Sequence, residues 1–257
     1  MTTTIAVAGK GGTGKTTFTA LLIRYLRESG RVPILAIDGD PSSNLNLVLG
    51  MELPDTVGDI REEALHQVSN GTFQPGMAKV DYFDYRINEC LVEGENIDLL
   101  AMGRPEGPGC YCAANSMLRL CIDRLGNDYS AVVIDNEAGM EHISRQTTRD
   151  VDFLFIISDP SVRSLSTAEH IVKLIDELGT RVRKHFLVLN RVNGQLPPSL
   201  RNRIDQLEVE FIGYLPEDPE IAEFDMLGRP LIEVSSTSPI YRAVADIAGR
   251  VLGPARG

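Results

Sequence analysis

The chain opens on a short apolar run, Thr4-Ile5-Ala6-Val7-Ala8, closed at once by glycine. A run without polar alternation predicts a strand buried on both faces. Over residues 15–28 the period changes: Phe18, Leu21, Leu22, Tyr25 and Leu26 recur at helical spacing, and Gly30 stops the pattern. Residues 34–37 form a second buried run ending at Asp38. A helix between the two runs makes them parallel strands. Further runs at residues 97–102, 131–134, 153–157, 185–189 and 209–212 predict more strands, and residues 164–178 predict a helix among them. Strands alternating with helices predict an α/β fold with a mostly parallel sheet and helices on both faces. Residues 50–95 are the least regular and read as a helix with loops; residues 238–252 read as a closing helix. No repeat or composition shift marks a boundary, so residues 1–257 read as a single domain.

Composition narrows the function. With 257 residues, 43% hydrophobic and 24% charged, the chain is neither disordered nor fibrous. A chain of this length buries roughly 70–75% of its unfolded surface and needs no staples. The net charge of −11 disfavours a nucleic-acid partner, which would require a basic face. Met1-Thr2-Thr3-Thr4 lacks the positive start of a signal peptide, and Arg24 interrupts the most apolar helix. A cytoplasmic protein with no membrane partner is the expectation. The cysteines Cys90, Cys110, Cys112 and Cys121 then read as thiols or metal ligands rather than disulfides.

Gly9-Lys10-Gly11-Gly12-Thr13-Gly14-Lys15-Thr16 fits the phosphate-loop pattern G-x-x-x-x-G-K-[ST], with a predicted strand before it and a helix after it. Glycines let successive N–H groups converge on phosphate oxygens, and the helix N-terminus favours their charge. Gly11, Gly12, Thr13, Gly14, Lys15, Thr16 and Thr17 are the expected nucleotide contacts, with Lys15 at the β- and γ-phosphates and Thr16 on Mg²⁺. This P-loop makes the chain an expected NTPase, and the absence of N-K-x-D (the segment reads Asn190-Arg191-Val192-Asn193) favours ATP over GTP.

Lys10, directly after the first glycine, is not needed by an ordinary phosphate loop. With it the loop resembles the deviant Walker A motif of the family that includes MinD, ParA and the nitrogenase iron protein. The resemblance implies that Lys10 reaches a partner's nucleotide across a homodimer. It places switch I at Asp38-Gly39-Asp40-Pro41, with Asp40 positioning the attacking water and Asp38 supporting it. It makes Asp135, at the end of the run 131–134, the Walker B aspartate beside Mg²⁺. It assigns Asn190 and Arg191 to one side of the adenine, and Pro216 and Glu217, read as ending the next strand, to the other. The carboxylates, taken alone, read equally as turn or cap residues.

Gly109-Cys110-Tyr111-Cys112 follows the run 97–102 through a Pro/Gly-rich loop. Two thiolates supply half of a four-ligand Zn²⁺ or Ni²⁺ site, and a twofold dimer would supply the rest. Read alone, the pair is as compatible with packed thiols. Together with Glu137-Ala138-Gly139-Met140-Glu141-His142 it resembles the CooC-type ATPases, which insert nickel into carbon monoxide dehydrogenase, with a related branch serving acetyl-CoA synthase. That resemblance implies a Mg²⁺-dependent ATPase cycling between ATP and ADP, a homodimer sharing one Ni²⁺ or Zn²⁺ ion on Cys110 and Cys112, and one of those apo-enzymes as partner. An iron–sulfur reductase would need a cysteine soon after Asp135, and none follows. A MinD- or ParA-like positioning ATPase would need a basic membrane helix or DNA affinity, yet the closing helix carries only Arg242 and Arg250. A nucleotide-gated metal store with negligible turnover shares all the motifs. Glu141 and His142 stand outside the expected metal site.

Overall fold

The computed structural model describes residues 2–70, 86, 89–103, 119–120, 122–137, 150–178 and 181–253. Seven strands form one sheet: β1 (Thr3–Gly9), β2 (Ile34–Asp38), β3 (Ile97–Ala101), β4 (Ala131–Asp135), β5 (Asp150–Ser158), β6 (Arg181–Leu189) and β7 (Glu210–Tyr214). Their order is β3-β2-β4-β1-β5-β6-β7, and every neighbouring pair is parallel, so the sheet is fully rather than mostly parallel. The helices described over their full length are α1 (Lys15–Glu28), α2 (Leu45–Leu49), α3 (Val57–Ser69), α4 (Val162–Leu178), α5 (Pro198–Asp205), α6 (Pro219–Leu227) and α7 (Pro239–Leu252).

The period of two along each strand divides the core. Ala6, Ala8, Leu35, Ile37, Val132, Ile134, Leu154 and Ile156 pack on one face with Val57 and Ile60 of α3 and Leu165, Ala168 and Ile171 of α4. Ile5, Val7, Ile34, Ala36, Val133, Phe155 and Ile157 pack on the other with α1 and α7. This is why the strands read as unbroken apolar runs: both faces are covered. On α1, Phe18, Leu21, Leu22, Ile23 and Leu26 are all buried, each stabilising the fold by about 1.5–3 kcal/mol. On α7, Ile240, Val244 and Ile247 face the core, so the apolar stripe on the closing helix is spent on packing. Among the described residues no helix is long and apolar enough to cross a membrane.

The expected strands all form, with shifted ends. β6 starts at Arg181 because its first half is exposed and polar, which hides it from an apolar-run reading. β7 ends at Tyr214, so Pro216 and Glu217 lie in the loop after the strand rather than at its end. The irregular region contains α3, and Val92 makes an isolated antiparallel bridge to Leu99.

Chain order sends β2 and β3 to one side of β1 and β5, β6 and β7 to the other. The carboxyl ends of β1 and β4 therefore meet at the point where winding reverses, the usual location of a ligand crevice in an open parallel sheet.

Candidate active site

The loop leaving β1 wraps around one carbonyl. The backbone oxygen of Lys10 accepts from the Thr13 N–H at 3.3 Å, the Thr13 hydroxyl at 2.8 Å and Lys15 Nζ at 3.5 Å. Gly14, in the left-handed region at φ 92°, ends the loop and begins α1. A Cβ there would sit 2.2 Å from Asn190 Nδ2, so both backbone conformation and space demand glycine. Gly9 is equally constrained, because its Cβ would meet the Ile157 carbonyl oxygen at 2.2 Å where β1 passes β5. No side chain caps α1 and no acidic residue stands in its first turn. Its N-terminal N–H groups and positive dipole end are thereby left to an external anion.

Below the loop lies a buried acid–hydroxyl cluster. Thr16 Oγ1 donates to Asp135 Oδ2 at 2.6 Å, and the Thr19 hydroxyl lies 2.9 Å from the Lys15 carbonyl and 3.2 Å from Asp135 Oδ1. Asp38 accepts from the N–H groups of Asp40 at 3.0 Å and Leu45 at 2.8 Å. The Gly39 N–H donates to the Asp135 carbonyl at 2.8 Å, tying the switch I segment to the end of β4. Asp40 is half-buried and accepts from the Ser42 N–H at 2.8 Å.

The electrostatics follow from burial. Asp135 is pushed up to about 7, chiefly by burial and further by Asp38, against hydrogen bonds from Thr16 and Thr19 and the attraction of Lys15. Asp38 is pushed up to about 6 by burial, against three backbone N–H groups. Lys15 is held below its ordinary value because burial outweighs the pull of Asp135, Asp40 and Glu137. A buried cluster of this kind gains from a divalent cation and a polyphosphate. Its oxygen donors, the Thr16 hydroxyl with the Asp135 and Asp38 carboxylates, suit Mg²⁺.

A cavity of about 540 Å³ runs from Gly14 and Thr17 past Asn190 and Arg191 to Pro216, Glu217 and Asp218, then to Ile221 and Ile240. The cavity thus joins Gly14 and Thr17 of the phosphate loop to the expected base residues Asn190, Arg191, Pro216 and Glu217. Asn190 is buried; its Nδ2 donates to the Thr13 carbonyl at 2.8 Å and its Oδ1 accepts from the Arg191 N–H at 2.8 Å. It therefore fastens β6 to the phosphate loop. Arg191 holds a left-handed conformation at φ 58°. Lys10 is exposed.

Cys110, Cys112, Cys121, Glu141 and His142 lie outside the described residues. Cys90 is buried and its thiol is pushed up to about 12 by burial, which makes it inert. Among the described residues no group of three or more His, Cys, Asp or Glu side chains is placed to hold a metal ion. Sequence reasoning missed Thr19, Asn136 and Asp218. Asn136, buried at the end of β4, donates from Nδ2 to the Val7 carbonyl at 2.8 Å and so locks β4 to β1 beneath the loop. An Asn directly after a Walker B aspartate was visible but has no distinctive pattern.

The model of the CobQ/CobB/MinD/ParA nucleotide binding domain matches residues 4–231. The chain belongs to this family. Members of the family are ATPases, and this MinD/ParA-family chain is one. An uncharacterised ATP-binding protein of Methanocaldococcus jannaschii is 46% identical over 96% of this chain and 98% of its own length. The carbon monoxide dehydrogenase accessory protein CooC of Rhodospirillum rubrum is 32% identical over 98% of each chain. Among solved structures, the septum site-determining protein MinD of Pyrococcus horikoshii, complexed with Mg-ADP, superposes with a TM-score of 0.68 at 24% identity over 98% of this chain and 96% of its own. The MinD cell division protein of Aquifex aeolicus does so with a TM-score of 0.70 at 23% identity, over 99% and 98%.

Proposed function

We propose that this family member is an ATP-dependent metallochaperone. It dimerises around ATP and a thiolate-bound metal ion and assists nickel insertion into carbon monoxide dehydrogenase or the related acetyl-CoA synthase. One observation carries the reading: Cys110-Tyr111-Cys112 stands in a chain that aligns end to end with a carbon monoxide dehydrogenase accessory protein.

The nucleotide half of the mechanism follows from the site. The phosphate loop and the uncapped start of α1 bind the polyphosphate, and Lys15 neutralises its β- and γ-oxygens. Thr16 and Asp135 would hold Mg²⁺, with Asp38 beside them. When bound there, Mg²⁺ would supply positive charge against the charge developing on the phosphates. Asp40 orients water for in-line attack on the γ-phosphorus, and the bond to the ADP oxygen breaks. Asn190, Arg191, Pro216 and Glu217 enclose the base end. Lys10, exposed on the loop, contacts the nucleotide of a second copy, consistent with the dimerisation of MinD and ParA family members.

The cargo half rests on ligand arithmetic. Two thiolates per chain and four ligands per ion give one Ni²⁺ or Zn²⁺ ion per dimer. ATP binding then changes metal affinity by changing how the two loops meet. The test is metal analysis under reducing conditions, with and without ATP. The expected result is one tight ion per two chains, lost in the Cys110→Ser, Cys112→Ser double variant with nucleotide binding retained. One tight ion per chain, or undiminished binding by the double variant, overturns the shared site.

A further inference from the structure

The far wall of the nucleotide cavity consists of two helix starts. Ile221 and Ala222 come from the first turn of α6, and Ile240 from the first turn of α7. These helices are separate in sequence, yet one carboxylate joins them. Asp218 is the N-cap of α6, and its Oδ1 accepts from the Glu220 N–H at 3.0 Å. Its Oδ2 accepts from the Ser238 hydroxyl at 2.6 Å and from the Ile240 N–H at 3.3 Å. Ser238 is the N-cap of α7, is 2% exposed, and accepts from the Tyr241 N–H at 3.4 Å. A second link runs in parallel, from the Ser235 N–H to Glu220 Oε1 at 2.7 Å. The opposite wall, Asn190 on the end of β6, is fastened to the phosphate loop instead.

We propose that Asp218 is a positioning residue that fixes the width of the base compartment. It clamps the starts of α6 and α7 together and so sets base affinity and discrimination independently of phosphate binding. This rests on the nucleotide-site reading above. One oxygen serves the cap and the other serves the clamp, so the two tasks separate chemically. Asn is as good an N-cap as Asp, and its single side-chain oxygen can still serve Glu220 N–H. Its amide nitrogen cannot accept from Ser238 or Ile240. Asp218→Asn therefore keeps the helix and weakens the clamp, which loses its acceptor for the Ile240 N–H. The phosphate-loop residues Lys15 and Thr16 make their own bonds, to the Lys10 carbonyl and Asp135, and none of these involves Asp218.

The experiment compares Mg²⁺–ATP, Mg²⁺–GTP and inorganic tripolyphosphate on the full chain by calorimetry. For Asp218→Asn the expected result is a Kd for ATP raised about tenfold, with tripolyphosphate changed less than about twofold. The ATP/GTP preference narrows, and KM for ATP rises more than kcat falls. Should that variant fail to fold, Ser238→Ala removes the clamp's hydroxyl donor together with the α7 cap it makes to the Tyr241 N–H, and it too raises the Kd for ATP more than that for tripolyphosphate. Equal losses for ATP and tripolyphosphate would show a general loosening and overturn the proposal, as would no change in either. Wild-type protein that bound neither ligand would overturn the nucleotide reading itself, and the proposal with it.

Discussion

The two ends of the cavity are built in opposite ways. The phosphate end comes from one contiguous segment, residues 9–16, set on the carboxyl ends of β1 and β4, and it concentrates buried charge: Lys15 and Asp135 are both buried, with Asp38 beside them. The base end gathers Asn190, the loop residues Pro216 and Asp218, and Ile240 from three places in the chain, with Arg191, Glu217 and Asp225 also in its lining. The phosphate end does chemistry, so it carries groups whose burial costs stability and whose charge a ligand must balance. On the proposed reading the base end selects and orients, so fixed spacing matters more there than buried charge.

That contrast can be broken most directly at Lys15. Lys15→Ala removes the buried cation that faces the acidic cluster among the described residues and should weaken Mg²⁺–ATP binding by about 10²–10³-fold, read by calorimetry. A loss no larger than that caused by opening the base end would erase the distinction between the two. Asp40→Ala sharpens it within the phosphate end: turnover should fall about 10²-fold or more while the Kd for ATP stays within about threefold. Wild-type turnover in that variant would remove Asp40 from its water-positioning role.

Gly14 is where the two ends touch, through Asn190. Gly14→Ala strains a φ of 92° and places a methyl 2.2 Å from Asn190 Nδ2, so it should lower unfolding free energy by about 1–3 kcal/mol and weaken ATP together with it. Urea titration measures the first effect and calorimetry the second. Destabilisation with intact ATP affinity would show that the loop and the base wall are not mechanically joined.

Charge burial also predicts a pH dependence that is strongest at the phosphate end, although burial raises Asp225 at the base end as well. The carboxyls of Asp38 and Asp135 have an ordinary value of 3.8 but stand near 6 and 7 in the fold. The folded chain thus binds their protons more tightly than the unfolded one. This contribution is fully present below about pH 4 and is lost as pH rises through 6 and 7. Without ligand, the Tm should decline from pH 5 to pH 8, and less so in Asp135→Asn. Mg²⁺–ATP should flatten the same profile. A decline of equal size in Asp135→Asn would place its source elsewhere. The smallest effect concerns Lys10. Lys10→Ala should weaken ATP-dependent dimerisation severalfold, seen by sedimentation with a non-hydrolysable analogue, and should leave binding to the single chain nearly unchanged.

Legibility along the chain follows the same division. Buried parallel strands are unbroken apolar runs, so β1, β2 and β4 were readable to within a residue or two. The exposed first half of β6 and the half-buried β7 carry no such run, and their ends were misplaced. α6 went unread because its only buried side chain is Phe224, too little for a helical stripe. Its start does carry a signal, Asp218-Pro219, an N-cap followed by proline at the first helical position, and Ser238-Pro239 repeats it for α7. Thr19 was hidden differently: it sits on a helix face whose burial suggests packing, while its hydroxyl serves Asp135, more than a hundred residues away.

By itself the sequence determined the phosphate loop, the parallel α/β class and the acidic residues at the strand ends. Each of these is a local pattern in which neighbours in the chain are neighbours in space. Only the tertiary structure decided that Asp135 meets Thr16 and Thr19, that Asn190 leans on Gly14, and that Asp218 ties α6 to α7. Those contacts join residues distant in sequence, and strand order and helix packing bring them together. No spacing along the chain encodes that proximity, because it is set by which apolar faces must cover one another.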